Sequence, residues 1–430
     1  MTESIAVRPS GPVRGMIRPP GSKSITNRAL VCAGLADGES LLTGALDSED
    51  TRVMIEGLGR LGIEVDHDPQ AAAIRVRGCG GVPPARGAEL LVANSGTTMR
   101  FLTALVTLGH GTFRIDGSPR MRERPIADLL EALKQLGADA ASERGNGCPP
   151  VVVRAAGLRG GRATVAGSIS SQFLSGLLMA APAAHRPVEL EVSGELVSKP
   201  YVEMTLAVMA AFGVSVAKEG LRRFVVPAGR PYRGRDYAVE PDASAASYFF
   251  AAAAITGGRV TVAGLSRRSL QGDVAFCDCL ARMGCHVQYG PDSITVVGGS
   301  LRGIDVDMNA ISDTVQTLAA VALVAEGPTT ITGVAHIRHK ETDRIAALAA
   351  ELRKLGATVD QRDDGLRIVP AALRGAEIET YGDHRMAMGL ALAGLVVPGV
   401  VIRDPQCTAK TYPGFFADLA RLTGSGPGEA

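Results

Sequence analysis

Only seven of the 45 basic residues in this 430-residue chain are lysine; the other 38 are arginine. Where a fixed positive charge suffices, the chain uses arginine. The few lysines are therefore informative, because an ammonium can give up its proton in a suitable environment and a guanidinium does not. Lys134 and Lys354 fall on helices of a repeated pattern, and Lys199 and Lys218 fit either a structural or a binding role. Lys23, Lys340 and Lys410 lie in segments dense in glycine, hydroxyls, carboxylates and histidine, where proton transfer is open to one of them.

Around those lysines are further groups of the same kind. Pro20–Arg28 places a turn, hydroxyls and the cations Lys23 and Arg28 at a helix start; Asn94–Arg100 is a second such start, with Gly96 allowing close approach to the backbone. Arg120–Pro125 carries three arginines in five residues, readable as an anion site or as a solvated charged turn. Ser168–Gln172 offers hydroxyls and an amide, of which helix capping accounts for one serine. In the second half, Asp313 sits at a helix start, where capping is the alternative to chemistry. His339–Arg344 places Glu341, a potential acid or base, three residues before an anion-binding arginine and hence on one helical face, with surface salt bridges as the competing account. Gly382–Met386 and Cys407–Thr411 complete the set. These groups suit a small molecule with several negative charges. The spacing of a P-loop is absent, and no serine stands in a nucleophile-elbow context, so nucleoside triphosphate binding and acyl transfer are not supported.

The elements that position these groups recur. Helix starts near Ser22, Ser95, Ser170, Asp242, Asp313 and Asp383 follow one another at intervals of 70 to 75 residues. Each exposes unpaired N–H groups and the positive end of a helix dipole. A second pattern ends helices at Gly62, Gly137, Gly213, Gly284 and Gly356, each followed by two strands, the second at Ile74–Val76, Val151–Val153, Phe224–Val226, Ile294–Val296 and Leu366–Ile368; a sixth copy survives as Leu419–Gly424. Such periodicity predicts a repeat architecture. Six copies divide into two domains of three.

Composition narrows the function. Basic and acidic residues number 45 and 44, so no global field favours nucleic acid or an anionic membrane. The apolar run Met386–Ile402 is short for a membrane span and is broken by Pro398 and Gly399, which predicts a buried helix followed by a strand. Seven scattered cysteines fit reduced thiols in a cytoplasmic protein, and Cys277, Cys279 and Cys285 lack a partner pair for a zinc site.

Taken in order, Pro20–Leu30, Asn94–Arg100, Arg122–Pro125, Ser170–Phe173, Ser198–Tyr201, Lys340–Arg344, Asp383–Met388 and Thr408–Thr411 resemble the 5-enolpyruvylshikimate-3-phosphate synthase family, from about Gly11 to Leu422. The resemblance implies an α/β fold of two similar domains, each of three βαβαββ repeats in an inside-out α/β barrel-like arrangement, with the active site in the interdomain cleft. The domains would be 22–240, and 1–21 with 241–430, joined by chain crossings near Gly21 and Glu240.

The resemblance further implies transfer of the enolpyruvyl group of phosphoenolpyruvate to the 5-hydroxyl of shikimate 3-phosphate by addition and elimination, with no metal or organic cofactor. Ser24 and Arg28 would hold the shikimate carboxylate. Ser170, Ser171, Ser198 and Lys340 would surround its phosphate or nearby hydroxyls, with Gln172 beneath the ring and His336, Asp313 and Lys23 also in contact. Arg344 and Arg385 would clamp the phosphoenolpyruvate carboxylate, while Lys23, Gly96, Arg124 and Lys410 receive its phosphate and Gln172 touches both substrates. Glu341 is expected to protonate the methylene carbon, Asp313 to act at the hydroxyl and Lys23 to assist phosphate departure. Partners are these small molecules alone; neither nucleic acid nor membrane is expected, and a monomer suffices.

Some positions depart from the common family pattern. Ser95, Thr98 and Phe101 replace alanine, alanine and proline around the second helix start, and His336 stands where asparagine is frequent. Gly96 is kept, and a larger residue there would crowd the inhibitor glyphosate. The rival family, transferases using UDP-N-acetylglucosamine, begins with Gly-Ala-Lys-Asn instead of Gly21-Ser22-Lys23-Ser24 and carries a reactive loop cysteine, for which Cys148 has no matching setting.

Overall fold

A computed structural model describes residues 3–424. The chain divides into two compact units: Gly21–Val239, and the described residues up to Pro20 together with those from Glu240 onward. The described strands form six sheets, five of four strands and one of three.

One repeat shows the plan. Strand Gly87–Leu91 leads into helix Gly96–Leu105, strand His110–Asp116, helix Ala127–Gln135 and strands Asp139–Ser142 and Val151–Ala156. The first two strands pair in parallel and the last two add antiparallel, giving a βαβαββ unit. Three repeats take a strand from elsewhere in the chain. Asp236–Ala238 supplies the parallel strand beside Glu39–Thr43, and Arg14–Ile17 does the same for Arg259–Ala263. Ser4–Val7 closes the last sheet antiparallel to Val400–Arg403, completing the copy that the sequence leaves frayed.

Within each repeat the two helices differ for a physical reason. The first is buried on nearly every side: in Ala243–Thr256 every residue from Ala243 to Ile255 is buried. The second is amphipathic, as in Glu49–Arg60, where Met54 and Leu58 face the core and Glu56 and Arg60 pair in solvent. Helices Gly96–Leu105 and Ser171–Ala180 pack together in one unit, and Val315–Ala322 and His384–Ala391 in the other. Each unit has its own apolar core.

The glycines predicted to end helices do so: Gly62, Gly137, Gly213, Gly284 and Gly356 all have positive φ. The five predicted second strands fall within Ala73–Arg77, Val151–Ala156, Arg223–Val226, Ser293–Val297 and Gly365–Val369. Met386–Ile402 is a buried helix and 3-10 turn followed by strand Val400–Arg403. No helix among the described residues is long and apolar enough to cross a membrane.

One expectation fails. Five helix starts are N-caps as predicted, but Asp313 lies inside a 3-10 turn, Asn309–Thr314, and the helix begins at Val315. Its carboxylate is bonded by Arg385 and faced by Arg344, as described below.

A further regularity was not visible in the sequence. At the head of each parallel strand pair a glycine crosses a carbonyl so closely that a Cβ would overlap it: Gly234 on Glu39, Gly111 on Arg86, Gly160 on Arg186, Gly258 on Val13, Gly303 on Pro328 and Gly375 on Pro398. The obstacle is backbone, which cannot rotate away. Gly258→Ala should therefore cost about 3 kcal/mol. Gly59→Ala, in a helix with open space around it, should stabilise by about 0.5 kcal/mol. Melting temperatures of the two variants check this, and equal values would refute it.

Candidate active site

In the unit Gly21–Val239, three N-caps organise the polar residues. Ser22 Oγ accepts from the Ile25 amide at 3.4 Å, Ser95 Oγ from Thr98 at 3.2 Å and Ser170 Oγ from Gln172 at 3.3 Å. Lys23 and Ser24 thus open one helix and Gly96 another. Gln172 Nε2 donates to Thr97 Oγ1 at 3.2 Å, tying the starts of two helices together. Ser171 and Ser198 are buried, and Ser198 takes a left-handed conformation at φ 52° just before helix Lys199–Ala211.

The arginines here separate into different roles. Arg122 pairs with Asp116 at 2.7 Å and holds that carboxyl below its usual range, and Arg120 pairs with Glu123 at 2.9 Å. The charged-turn reading holds for those two. Arg124 instead is buried and donates to the backbone and side-chain oxygens of Asn94 at 3.2 and 3.4 Å. Its guanidinium lies so near Gly96 that a Cβ on that glycine would overlap it. Arg100 bonds Gly96 and Pro125 carbonyls, stapling the same two segments. Arg28 is fully buried. It bonds Thr205 Oγ1 at 2.7 Å and the Ser24 and Tyr201 carbonyls at 2.8 and 3.2 Å, and its guanidinium stands 5.3 Å from the Phe101 ring centroid. Burial lowers its pKa to about 10, so it stays charged at neutral pH. Phe101, a departure from the family pattern, has a clear use here as a cation–π partner.

In the other unit Asp313, Glu341 and Asp383 meet at one cation, Arg344. Arg344 is 1% exposed. Its Nε and Nη2 bond the two oxygens of Asp383 at 2.7 and 3.2 Å, Nη2 also bonds Glu341 at 2.8 Å, and Nη1 lies 3.5 Å from Asp313. Burial works against this guanidinium, but Asp383 and Glu341 raise its pKa above the ordinary value. Arg385 grips Asp313 twice, at 2.7 Å on Oδ2 and 2.9 Å on the carbonyl. Lys410 Nζ stands 3.4 Å from Glu341 Oε1. Three cations thus face three carboxylates, all at most slightly exposed, and losing one member of such a set costs about 3–5 kcal/mol.

The expectation that Glu341 and Arg344 share a helical face is corrected. Helix Arg344–Lys354 begins at the arginine, with Asp343 as its cap, and Glu341 lies in the turn before it. The pair meets because that turn folds back onto Arg344. Solvent-exposed salt bridges do not describe it either, since both side chains are buried.

His336 is buried, with Nε2 3.0 Å from Ser312 Oγ. Burial first, and the nearby Lys340 charge second, lower its pKa to about 3, so the ring is neutral over the physiological range. Lys340 is half-buried close by. Near Asp313, Asp273 is buried and accepts from Ser244 Oγ; burial and the Asp313 charge push its carboxyl up to about 7.

Each unit therefore gathers its own share of the predicted residues. The sequence marks Asp383, Asn94 and Thr97 only through the segments Asp383–Met388 and Asn94–Arg100, without their bonds to Arg344, Arg124 and Gln172. Asp273 lies in none of the singled-out segments, and nothing local signals it. All seven cysteines are free thiols, and burial raises the pKa of Cys148, which makes it a poor nucleophile. Among the described residues no three His, Cys, Asp or Glu side chains are grouped to hold a metal ion.

The chain is similar throughout to proteins with one activity in their names. A 3-phosphoshikimate 1-carboxyvinyltransferase of Nostoc punctiforme is 51% identical over 412 residues, covering 96% of this chain and 97% of its relative. One from a Shewanella species is 48% identical over 423 residues, covering 98% and 99%. A solved EPSP synthase from Acinetobacter baumannii superimposes with a TM-score of 0.81 at 26% identity, covering 98% of this chain and 97% of the other. The pattern of the family described as EPSP synthase (3-phosphoshikimate 1-carboxyvinyltransferase) matches residues 7–419, a span that takes in both sets of site residues. With that coverage and those identities, the chain belongs to the EPSP synthase family.

Proposed function

We propose that this protein transfers the enolpyruvyl group of phosphoenolpyruvate to the 5-hydroxyl of shikimate 3-phosphate, releasing phosphate. The observation that carries the reading is the buried set of Arg344, Arg385 and Lys410 with Asp313, Glu341 and Asp383, in a chain of this family. The reading includes a monomer acting in the cytoplasm on these two small molecules.

The ion pairs suggest how binding prepares the chemistry. Phosphoenolpyruvate brings a carboxylate for Arg344 and Arg385 and a phosphate for Lys23, Arg124, Lys410 and the Gly96 backbone. Arg344 and Lys410 both pair with Glu341. As both turn to the substrate, Glu341 loses neutralising charge in a buried place, and its affinity for a proton rises. It can then deliver that proton to the methylene carbon. Arg385 likewise exchanges Asp313 for the substrate carboxylate, which frees Asp313 to take the proton of the attacking hydroxyl. The shikimate oxygen bonds to the phosphate-bearing carbon and gives a tetrahedral intermediate. Elimination then removes a methyl proton and expels phosphate, with Lys23 neutralising the leaving group. Ser24, Arg28, Ser170, Ser171, Gln172, Ser198, His336 and Lys340 hold shikimate 3-phosphate; Gln172 also contacts phosphoenolpyruvate.

Phosphate release from the purified protein should require both substrates, and Glu341→Gln and Lys23→Met should each lower kcat at least about 100-fold. Release without shikimate 3-phosphate, or full activity in both variants, would refute the reading. Gly96→Ala places a methyl against the guanidinium ends of Arg124 and Arg100, both of which can shift, so the KM for phosphoenolpyruvate should rise about tenfold with a melting temperature little changed. His336 has a pKa far below its unfolded value, so the unfolded chain binds a proton that the native one refuses. Its contribution to stability is intact above about pH 6.5 and is lost as pH falls toward 3. His336→Asn should therefore lose less melting temperature than the wild type between pH 7 and pH 4.5; parallel losses would exclude this.

A further inference from the structure

Helix Arg344–Lys354 presents Arg344 and Glu351 seven residues apart, close to two turns, and so on one face. Both reach the same stretch of chain, 379–385. Arg344 bonds Asp383, whose side chain also accepts the Arg385 amide at 2.9 Å. Glu351 is 0% exposed. Its Oε2 accepts the Glu379 amide at 3.1 Å and the Lys354 ammonium at 2.7 Å, and its Oε1 accepts the Tyr381 hydroxyl at 2.7 Å. Tyr381 has φ 56°, a left-handed conformation that costs a non-glycine residue about 1 kcal/mol or more and persists only where its surroundings impose it. A buried carboxylate is a poor choice for stabilising a helix flank, because an apolar residue of similar volume does that at least as well. It suits a turn that has to be held in one shape.

We propose that Glu351 is a positioning residue: through Tyr381 and the Glu379 amide it fixes the turn before Asp383, and thereby the placement of Arg385 against Arg344. The proposal rests on the assignment of that arginine pair to the phosphoenolpyruvate carboxylate. Glu351 itself does not touch substrate. The helix holds the turn at two points, Glu351 at its start and Arg344 at its end, so slackening one loosens the guanidinium that follows.

The test uses the full chain with Tyr381→Phe, which removes one bond and keeps the ring, and Glu351→Gln, which keeps one acceptor oxygen. The expected result in both is a KM for phosphoenolpyruvate raised about tenfold, with kcat and the KM for shikimate 3-phosphate within about twofold of wild type. Amide hydrogen exchange in a peptide spanning 379–386 should quicken in both variants. A lower melting temperature with both KM values and the local exchange unchanged would make Glu351 merely structural and overturn the proposal. Wild-type protein without activity would instead sink the functional reading, and the exchange measurement would still decide whether Glu351 holds the turn.

Discussion

A guanidinium buried as deeply as that of Arg344 must be neutralised on the spot, and the geometry of its unit follows from that requirement. Two of its nitrogens take a bidentate grip on Asp383, one of them reaches Glu341 as well, and the third faces Asp313. A planar fork with fixed donor directions places three carboxylates from three separate segments at set positions. Asp383 then caps the next helix and so directs Arg385, which returns to Asp313. The residues proposed for acid and base chemistry are thus held by the same cations that the substrate is proposed to engage. On that proposal an arriving anion would not meet bare positive charge; it would displace carboxylates that already neutralise it. Binding and activation of the acid and the base are then one event, and the cost of separating the pairs is met by the substrate's own charges.

Much of this was legible because it is local. An N-cap is a hydroxyl or carboxylate next to a helix, and Ser22, Ser95, Ser170, Asp242 and Asp383 are caps as read. A left-handed glycine ending a helix is equally local. Asp313 escaped the same rule because a 3-10 turn delays its helix to Val315, and the choice between capping and chemistry depended on arginines 31 and 72 residues away. Arg28 shows the converse. Its importance was visible, but its bonds to Thr205 and Tyr201 and its contact with Phe101 join segments that no spacing rule connects. Asp273 and Glu351 were invisible for that reason, since a buried carboxylate has meaning only through partners brought by tertiary structure.

The six repeats share more than their elements. A parallel pair of strands brings two chain segments side by side at their N-terminal ends, and in every repeat one of the two carries glycine where the other's carbonyl passes. The constraint is steric and identical in all six, yet the glycine sits on the first strand or its approach in some repeats and on the second in others. That alternation hides it from a search for a fixed pattern. The borrowed strands have a related explanation. A βαβαββ unit whose parallel edge strand is missing leaves a row of unpaired backbone groups, and Asp236–Ala238 and Arg14–Ile17 cover the two such edges.

The scarcity of lysine now has a structural account. Lys134, Lys199 and Lys354 each pair with a glutamate about one turn away, and Lys218 with Glu203 on the preceding helix. Lys410 differs, being buried with its ammonium 3.4 Å from Glu341. Arginine in its place would lock onto that carboxylate through two directed bonds, as Arg344 locks onto Asp383. An ammonium is a compact charge with no preferred plane, and it can move from a carboxylate to a phosphate without breaking a matched geometry. The division of labour follows: arginine where a group must be held in one orientation, lysine where the same positive charge has to change partners during a reaction.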